Sequence, residues 1–351
     1  MGDKLAALRQ DPLPDMPVLF AKIKLLWQCN LSCVFCDRPA PCEPMGRDAF
    51  DKILDDLIGH GVKKIHFSGG EILVHPEILP ILESASSRGV QVNCTSNGTL
   101  LTKEIARALT EIGVHSMSIS LDSSKASLHD RLRGKKGAFK STVRGLEHLI
   151  RYRKKNPKIR VNTVVTRENL GDLDDLHAFL GGLHRDIIWK LIPVDSQNKK
   201  MRLAESQVAE LAERSRGWDL LENRHVFTQY DSDKSISSGN YAGNYYRHYP
   251  CYMPWMHLFI DPGGFAYPCC MTRGKISSIG NVIAEPLSAL LNNARMKDIR
   301  MSMSGSNTFE VCHRCDDFIL ENKGIYELIN SPLTPGGGMI EAPPDPRRGH
   351  E

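Results

Sequence analysis

The sequence predicts an α/β protein in which a partial (β/α)6 barrel of parallel strands is followed by a small α+β domain. Three observations carry this. Short apolar segments alternate six times with amphipathic ones between residues 18 and 195. The chain then turns polar and rich in Ser, Gly and Tyr over 217–249. Ten cysteines gather mainly on either side of that stretch, three of them within eight residues.

Taken in order, residues 18–27 (VLFAKIKLLW) read as a first strand that runs straight into a cysteine loop at 28–46. Helix 48–60 leads to strand 62–67, and a helix around 76–88 leads to strand 90–95. Helix 102–112 precedes strand 114–121, a long helix at 138–155 precedes strand 159–165, and helix 172–183 precedes strand 187–192. Strands and helices in strict alternation imply right-handed crossovers and a parallel sheet. Six units fall short of a closed eight-fold barrel, so the barrel is expected to be open, with ligands at the C-terminal edge of its strands. Beyond it, 203–216 reads as helix and HLFIDPGGFAYPCC as a hairpin turning at Pro-Gly-Gly. The expected divisions are an N-terminal extension at 1–17, a core at 18–195, a connector at 196–248, a C-terminal domain at 249–330 and a disordered Pro/Gly-rich tail at 331–351.

Composition excludes several classes. With 41% hydrophobic and 25% charged residues in 351, the chain is an ordinary globular one. It has no apolar run of about 18 residues, so no membrane span is expected. The first 20 residues carry acids and prolines where a secretory leader needs an unbroken apolar core. A net charge of +4 is too small to imply nucleic acid, and the one basic run, Arg151–Lys155, ends a predicted helix whose dipole it complements. Clustered cysteines without a leader point to metal rather than disulfides, and to the cytoplasm.

Cys29-x3-Cys33-x2-Cys36 places three thiols on one loop directly after a strand. A structural zinc or iron–sulfur site takes four protein ligands; three leave one metal position open to a cofactor or substrate. Cys42 is the alternative fourth ligand of a zinc knuckle. Four further segments fall at strand ends: Ser68-Gly69-Gly70-Glu71, Thr95-Ser96-Asn97-Gly98, Ser118–Asp122, and the run from His129 to Gly134. Together with C-x3-C-x2-C and the aromatic Phe35 before its last cysteine, they resemble the radical S-adenosylmethionine (SAM) superfamily over about residues 18–195. The resemblance implies a [4Fe–4S] cluster on Cys29, Cys33 and Cys36 whose unique iron is chelated by SAM. It also implies a 5′-deoxyadenosyl radical that removes a hydrogen atom from substrate, and a flavodoxin- or ferredoxin-type electron donor. SAM contacts are expected from Gly69, Gly70, Glu71, Thr95, Asn97, Ser120 and Asp122, with the Glu71 carboxylate suited to the SAM ammonium.

Cys251, Cys269, Cys312 and Cys315 form a second set. Cys251-x12-Gly264-x4-Cys269 resembles the opening of the SPASM auxiliary-cluster domain, and the absence of cysteines after Cys315 resembles its shortened, single-cluster "twitch" form. The resemblance implies a second [4Fe–4S] cluster. A zinc site on the same four thiols, and Cys270 in place of Cys269, are the competing readings. A fully ligated auxiliary cluster serves to carry electrons, which resembles the radical SAM alcohol dehydrogenases of aminoglycoside and aminocyclitol biosynthesis. That implies oxidation of a sugar or cyclitol alcohol. The alternative is an epimerase or peptide-modifying enzyme in which Cys270 donates a hydrogen atom. Lys190, Arg160, His257 and Asp195 are the candidate proton acceptors.

Overall fold

The computed structural model describes residues 18–194, 199–222, 233–304 and 308–330. The expected N-terminal extension, the C-terminal tail and Asp195 lie outside them. β1 (Phe20–Lys24), β2 (Lys64–Ser68), β3 (Gln91–Ser96), β4 (Ser116–Ser120), β5 (Lys158–Val165) and β6 (Ile188–Pro193) pair in sequence order, every pair parallel. Between them run α1 (Arg47–Gly59), α2 (Ile78–Ser87), α3 (Lys103–Ile112), α4 (Ala126–Arg133), α5 (Ala138–Tyr152) and α6 (Leu173–Leu183). The predicted α/β alternation is therefore present element by element.

The strands alternate as a two-residue period demands. In β1, Ala21 and Ile23 are fully buried, while Lys22 and Lys24 take the opposite face. In β5 the buried residues are Ile159, Val161, Thr163 and Val165. The helices supply the matching apolar stripe: Phe50, Ile53, Leu54 and Leu57 on α1, with Phe50 tilted against Phe67 of β2 at 5.5 Å. Thr102 caps α3 by accepting from the Ile105 amide, and Gly113 ends that helix at φ +82°.

Two features were not legible in the sequence. The first is α4, whose eight residues are mostly polar and whose buried members, His129, Leu132 and Arg133, include two that a hydrophobic pattern passes over. The second concerns the hairpin. It forms, as β7 (His257–Ile260) and β8 (Phe265–Tyr267), turned by Asp261, whose carboxylate accepts from the amides of Gly263 and Phe265. But β7 also lies parallel against β1, Phe20 opposite His257 and Ile23 opposite Ile260. With the two-residue β9 (Gly280–Asn281) the result is one nine-stranded sheet in the order β6-β5-β4-β3-β2-β1-β7-β8-β9. Every residue of β7 is buried, so its sequence carries no period to reveal a partner on either side.

The connector is held by aromatic stacking. Trp189 of β6 lies 5.1 Å from Trp218, and His177 of α6 stacks on both rings. The Trp189 amide donates to the Leu220 carbonyl and the Glu222 amide donates back to Trp189, which ties residues 220–222 alongside β6.

Candidate radical SAM site and auxiliary iron–sulfur centre

The cysteine loop is fixed by its backbone. The Ser32 and Val34 amides donate to the carbonyls of Arg133 and Leu132, so the loop lies along the end of α4. Gly134 makes this approach possible: it takes φ +66°, and a Cβ there would stand 2.1 Å from the Ser32 carbonyl oxygen. On the other flank the Gly70 amide donates to Leu26 and the Glu71 amide to Gln28. A Cβ on Gly70 would lie 2.0 Å from the Gln28 oxygen and one on Gly69 2.6 Å from the Leu26 oxygen. The paired glycines thus make room for the backbone that launches the loop.

The result is a cavity of about 330 Å³ at the C-terminal edge of the strands, and it gathers most of the expected residues. Cys29, Cys33, Cys36, Gly69, Gly70, Thr95, Asn97 and Ser120 all line it, together with Phe35, Val164, Ile192, Arg133 and Asp316. Cys29 Sγ receives the Leu31 amide at 3.5 Å and the Asn97 amide nitrogen at 3.9 Å, and Cys33 Sγ receives Arg133 at 3.8 Å. Burial pushes the Cys29 and Cys33 thiols up in pKa. Cys42 is exposed and lies off the cavity.

Glu71 and Asp122 stand behind the cavity wall, 1% and 0% exposed. Glu71 accepts from the Leu73 amide (3.0 Å), the Ser96 hydroxyl (2.7 Å) and the Asn97 amide (2.6 Å). Its carboxylate therefore ties the Gly69-Gly70 turn to the Thr95–Gly98 turn; burial raises its pKa while these donors pull it down. Glu71→Gln sets an amide NH2 against those donors and is expected to cost about 1–3 kcal/mol. The midpoint of denaturant unfolding of the apoprotein checks this. Asp122 forms an ion pair with Arg133, Nε lying 2.6 Å from Oδ2, and its Oδ1 accepts from a terminal guanidinium nitrogen at 2.8 Å and from the Val164 amide at 3.0 Å. Arg133, whose guanidinium also lies 5.3 Å from the Phe35 ring, belongs to the His129–Gly134 run but was given no role of its own from the sequence, and Asp316 of the lining was passed over altogether. The available signal for Arg133 was a basic residue at the end of the segment after Asp122.

The second cysteine set is also brought together. Cys251, Cys269, Cys312 and Cys315 line one apolar pocket with Met253, Met303, Phe318 and Tyr246. Burial, reinforced by the charge each thiolate would place on its neighbours, pushes Cys269 up to about 11 and Cys315 to about 12, with Cys251 and Cys312 raised further. Thiols in such a pocket ionise only against a cationic partner, the condition an iron–sulfur cluster supplies. Among the described residues no three His, Cys, Asp or Glu side chains are grouped to hold a single metal ion. Both donor sets consist of thiols alone, the ligand type an iron–sulfur cluster takes. Burial and the adjacent thiols hold the Tyr246 hydroxyl protonated, well above the ordinary tyrosine range.

Cys270 is absent from this lining. Its sulfur donates to Asp317 at 3.3 Å and lies 3.6 Å from Lys22, which forms an ion pair with Asp317 at 2.5 Å. The contact joins β1 to the loop after Cys315. Of the candidate proton acceptors, Arg160 is paired with Glu222 at 3.0 Å, and His257, within hydrogen-bond distance of the Pro268 carbonyl, is lowered to about 4 by burial.

The comparisons with known proteins agree with this layout. The profile of the radical SAM superfamily matches residues 27–180, and that of the SPASM iron–sulfur cluster-binding domain matches residues 251–316. The chain is 29% identical over 260 residues to the AdoMet-dependent heme synthase of Oleidesulfovibrio alaskensis, covering 72% of this chain and 63% of that one. It is 35% identical over 149 residues to the AdoMet-dependent heme synthase of Methanosarcina barkeri, covering 41% and 42%. It is 27% identical over 301 residues to the antilisterial bacteriocin subtilosin biosynthesis protein AlbA of Bacillus subtilis, covering 80% and 60%. The chain thus spans 42%, 63% and 60% of the length of these curated relatives. Among solved structures, Streptococcus suis SuiB bound to precursor peptide SuiA superposes with a TM-score of 0.65 at 16% identity, over 92% of this chain and 76% of that one. anSMEcpe with bound AdoMet and a peptide gives 0.61 at 17%, over 86% and 87%. A radical SAM domain implies SAM and a [4Fe–4S] cluster, and a SPASM domain implies further iron–sulfur centres. No described helix is long and apolar enough to cross a membrane. The chain carries a radical SAM domain followed by a SPASM iron–sulfur domain.

Proposed function

We propose that the chain is a radical SAM enzyme that carries out a net oxidation of a polar substrate, with electrons leaving through the auxiliary centre. The observation that carries this is the pair of thiol sets, three lining an open cavity and four lining a closed apolar pocket. When bound, the cluster and SAM at the first site supply a 5′-deoxyadenosyl radical that abstracts a hydrogen atom from substrate. Cys29, Cys33 and Cys36 would hold the cluster there, and three protein thiols would leave one iron for SAM. Arg133, held by Asp122, offers a guanidinium to the SAM carboxylate, and Asn97, Thr95 and Ser120 offer polar side chains to its remaining groups. Phe35, Val164 and Ile192 give the cavity apolar wall and keep water from the radical. Cys251, Cys269, Cys312 and Cys315 would hold the auxiliary centre, and four protein ligands would suit it to carrying electrons.

An alcohol of a sugar or cyclitol is the first substrate reading: a hydroxyl-bearing carbon radical becomes a carbonyl by losing one proton and one electron. A peptide is the second, favoured by the likeness to SuiB and AlbA. Ten free thiols suit a reducing cytoplasm, and a flavodoxin or ferredoxin suits the need for single electrons.

Anaerobic incubation with SAM and dithionite in deuterated water tests the reading. The expected result is 5′-deoxyadenosine and methionine, with oxidised product formed in step with SAM consumed. Deuterium entering the product carbon without oxidation would instead select the route in which Cys270 returns a hydrogen atom. SAM left intact by the reduced holoprotein sinks both.

A further inference from the structure

Tyr246 is a fully buried tyrosine whose hydroxyl points at a cluster thiol rather than at water. It is 1% exposed, and its oxygen lies 3.8 Å from Cys315 Sγ. Asn322, itself fully buried, decides which way the hydroxyl proton goes. The Asn322 amide orientation is fixed by partners of opposite kind. Its Oδ1 accepts from the Tyr252 amide at 2.7 Å, and its Nδ2 donates to the Phe318 carbonyl at 2.7 Å. A backbone amide only donates and a carbonyl only accepts, so the reverse orientation would oppose both. That leaves the second Nδ2 hydrogen for the Tyr246 oxygen, 3.0 Å away. A hydroxyl has one proton. Since Tyr246 accepts from Asn322, its own proton is directed to Cys315 Sγ.

The ring is held as firmly as the hydroxyl. Tyr245 packs edge-on at 5.0 Å, Thr308 donates to the Tyr246 carbonyl, and the Ala242 amide donates to His313, between Cys312 and Cys315. Such an arrangement exceeds what packing alone requires, because a phenylalanine would fill the same space without needing Asn322.

A donor to a cluster thiolate stabilises the more electron-rich state, and hydrogen bonds to the ligand sulfurs are one of the means by which proteins set cluster potentials. We propose that Tyr246, oriented by Asn322, is a positioning residue that raises the reduction potential of the auxiliary centre through its hydrogen bond to Cys315. This makes the centre a better acceptor for the electron that oxidation of the substrate releases. The inference rests on the reading that Cys251, Cys269, Cys312 and Cys315 hold an iron–sulfur cluster.

The test uses the full chain with Cys29, Cys33 and Cys36 replaced by alanine, so that only the auxiliary centre contributes an electron paramagnetic resonance signal. Its reduction is titrated against potential with and without Tyr246→Phe. The expected outcome is unchanged iron content and about a tenfold loss in the reduction equilibrium, a fall of about 59 mV for a one-electron couple. An unchanged or higher potential at equal iron content overturns the role of Tyr246 and leaves the cluster reading standing. Absence of iron from the parent protein, before Tyr246 is touched, overturns both. Should Tyr246→Phe itself lose iron, 3-fluorotyrosine incorporated at position 246 keeps the ring and strengthens the donor. A raised potential then supports the assignment, and an unchanged or lowered one overturns it.

Discussion

Replacing Cys29, Cys33 and Cys36 together by alanine is expected to lower the iron content of anaerobically reconstituted protein from about eight to about four per chain, and to abolish 5′-deoxyadenosine formation. The two thiol sets line separate pockets, so losing the first leaves the second intact. The loop itself is held by backbone bonds from Ser32, Val34, Gly70 and Glu71, none of which involves a cysteine side chain. The apoprotein fold is therefore expected to survive the change. Cys42→Ala is the control: exposed and off the cavity, it should leave both iron and turnover unchanged. Iron and sulfide analysis, with product detection after dithionite reduction, decides the matter. Zinc in place of iron, or loss of all iron in the triple variant, would contradict the assignment of two independent centres.

Breaking the Asp122–Arg133 pair should have the largest effect on stability. Both partners are buried, at 0% and 8% side-chain exposure, and meet at 2.6 Å. Asp122→Ala leaves an uncompensated guanidinium inside the protein, and removal of one partner from a buried pair costs about 3–5 kcal/mol. Replacing the pair together, Asp122→Asn with Arg133→Met, removes both charges at similar volume and is expected to restore most of that loss. SAM binding should stay impaired in the double variant, because the guanidinium lining the cavity beside Cys33 is gone. Denaturant unfolding of the apoproteins gives the first quantity, and equilibrium dialysis of SAM against reconstituted protein gives the second. A double variant as unstable as Asp122→Ala would show that the site needs the charges for its fold.

Much of the candidate site lay open in the sequence because its parts are local. Three cysteines on one loop, glycines at the next strand end and small polar residues at the following ones are spaced by chain geometry alone, and a parallel β/α fold delivers every strand end to the same edge. Glu71 and Asp122 were legible as site residues but not in their placement. A carboxylate near a ligand edge can face the ligand or brace its neighbours, and only the positions of Ser96, Asn97 and Arg133 distinguish the two. The preference for Cys269 over Cys270 came from its x4 spacing after Gly264 in the SPASM-like pattern, and the structure puts Cys269 in the pocket with Cys251, Cys312 and Cys315 while Cys270 faces Asp317.

By itself, then, the sequence determined the alternation of elements and the grouping of Cys29, Cys33 and Cys36, because these follow from periodicity and short-range spacing. The meaning of the strand-end motifs and of the second thiol set came from the resemblance to known families. Tertiary structure decided that β7 joins β1, that Lys22 meets Asp317 across nearly the whole chain, and that Tyr246 turns its proton on Cys315. Those contacts join residues far apart in the chain, and no local pattern encodes which distant surface a buried strand or a lone polar side chain will meet.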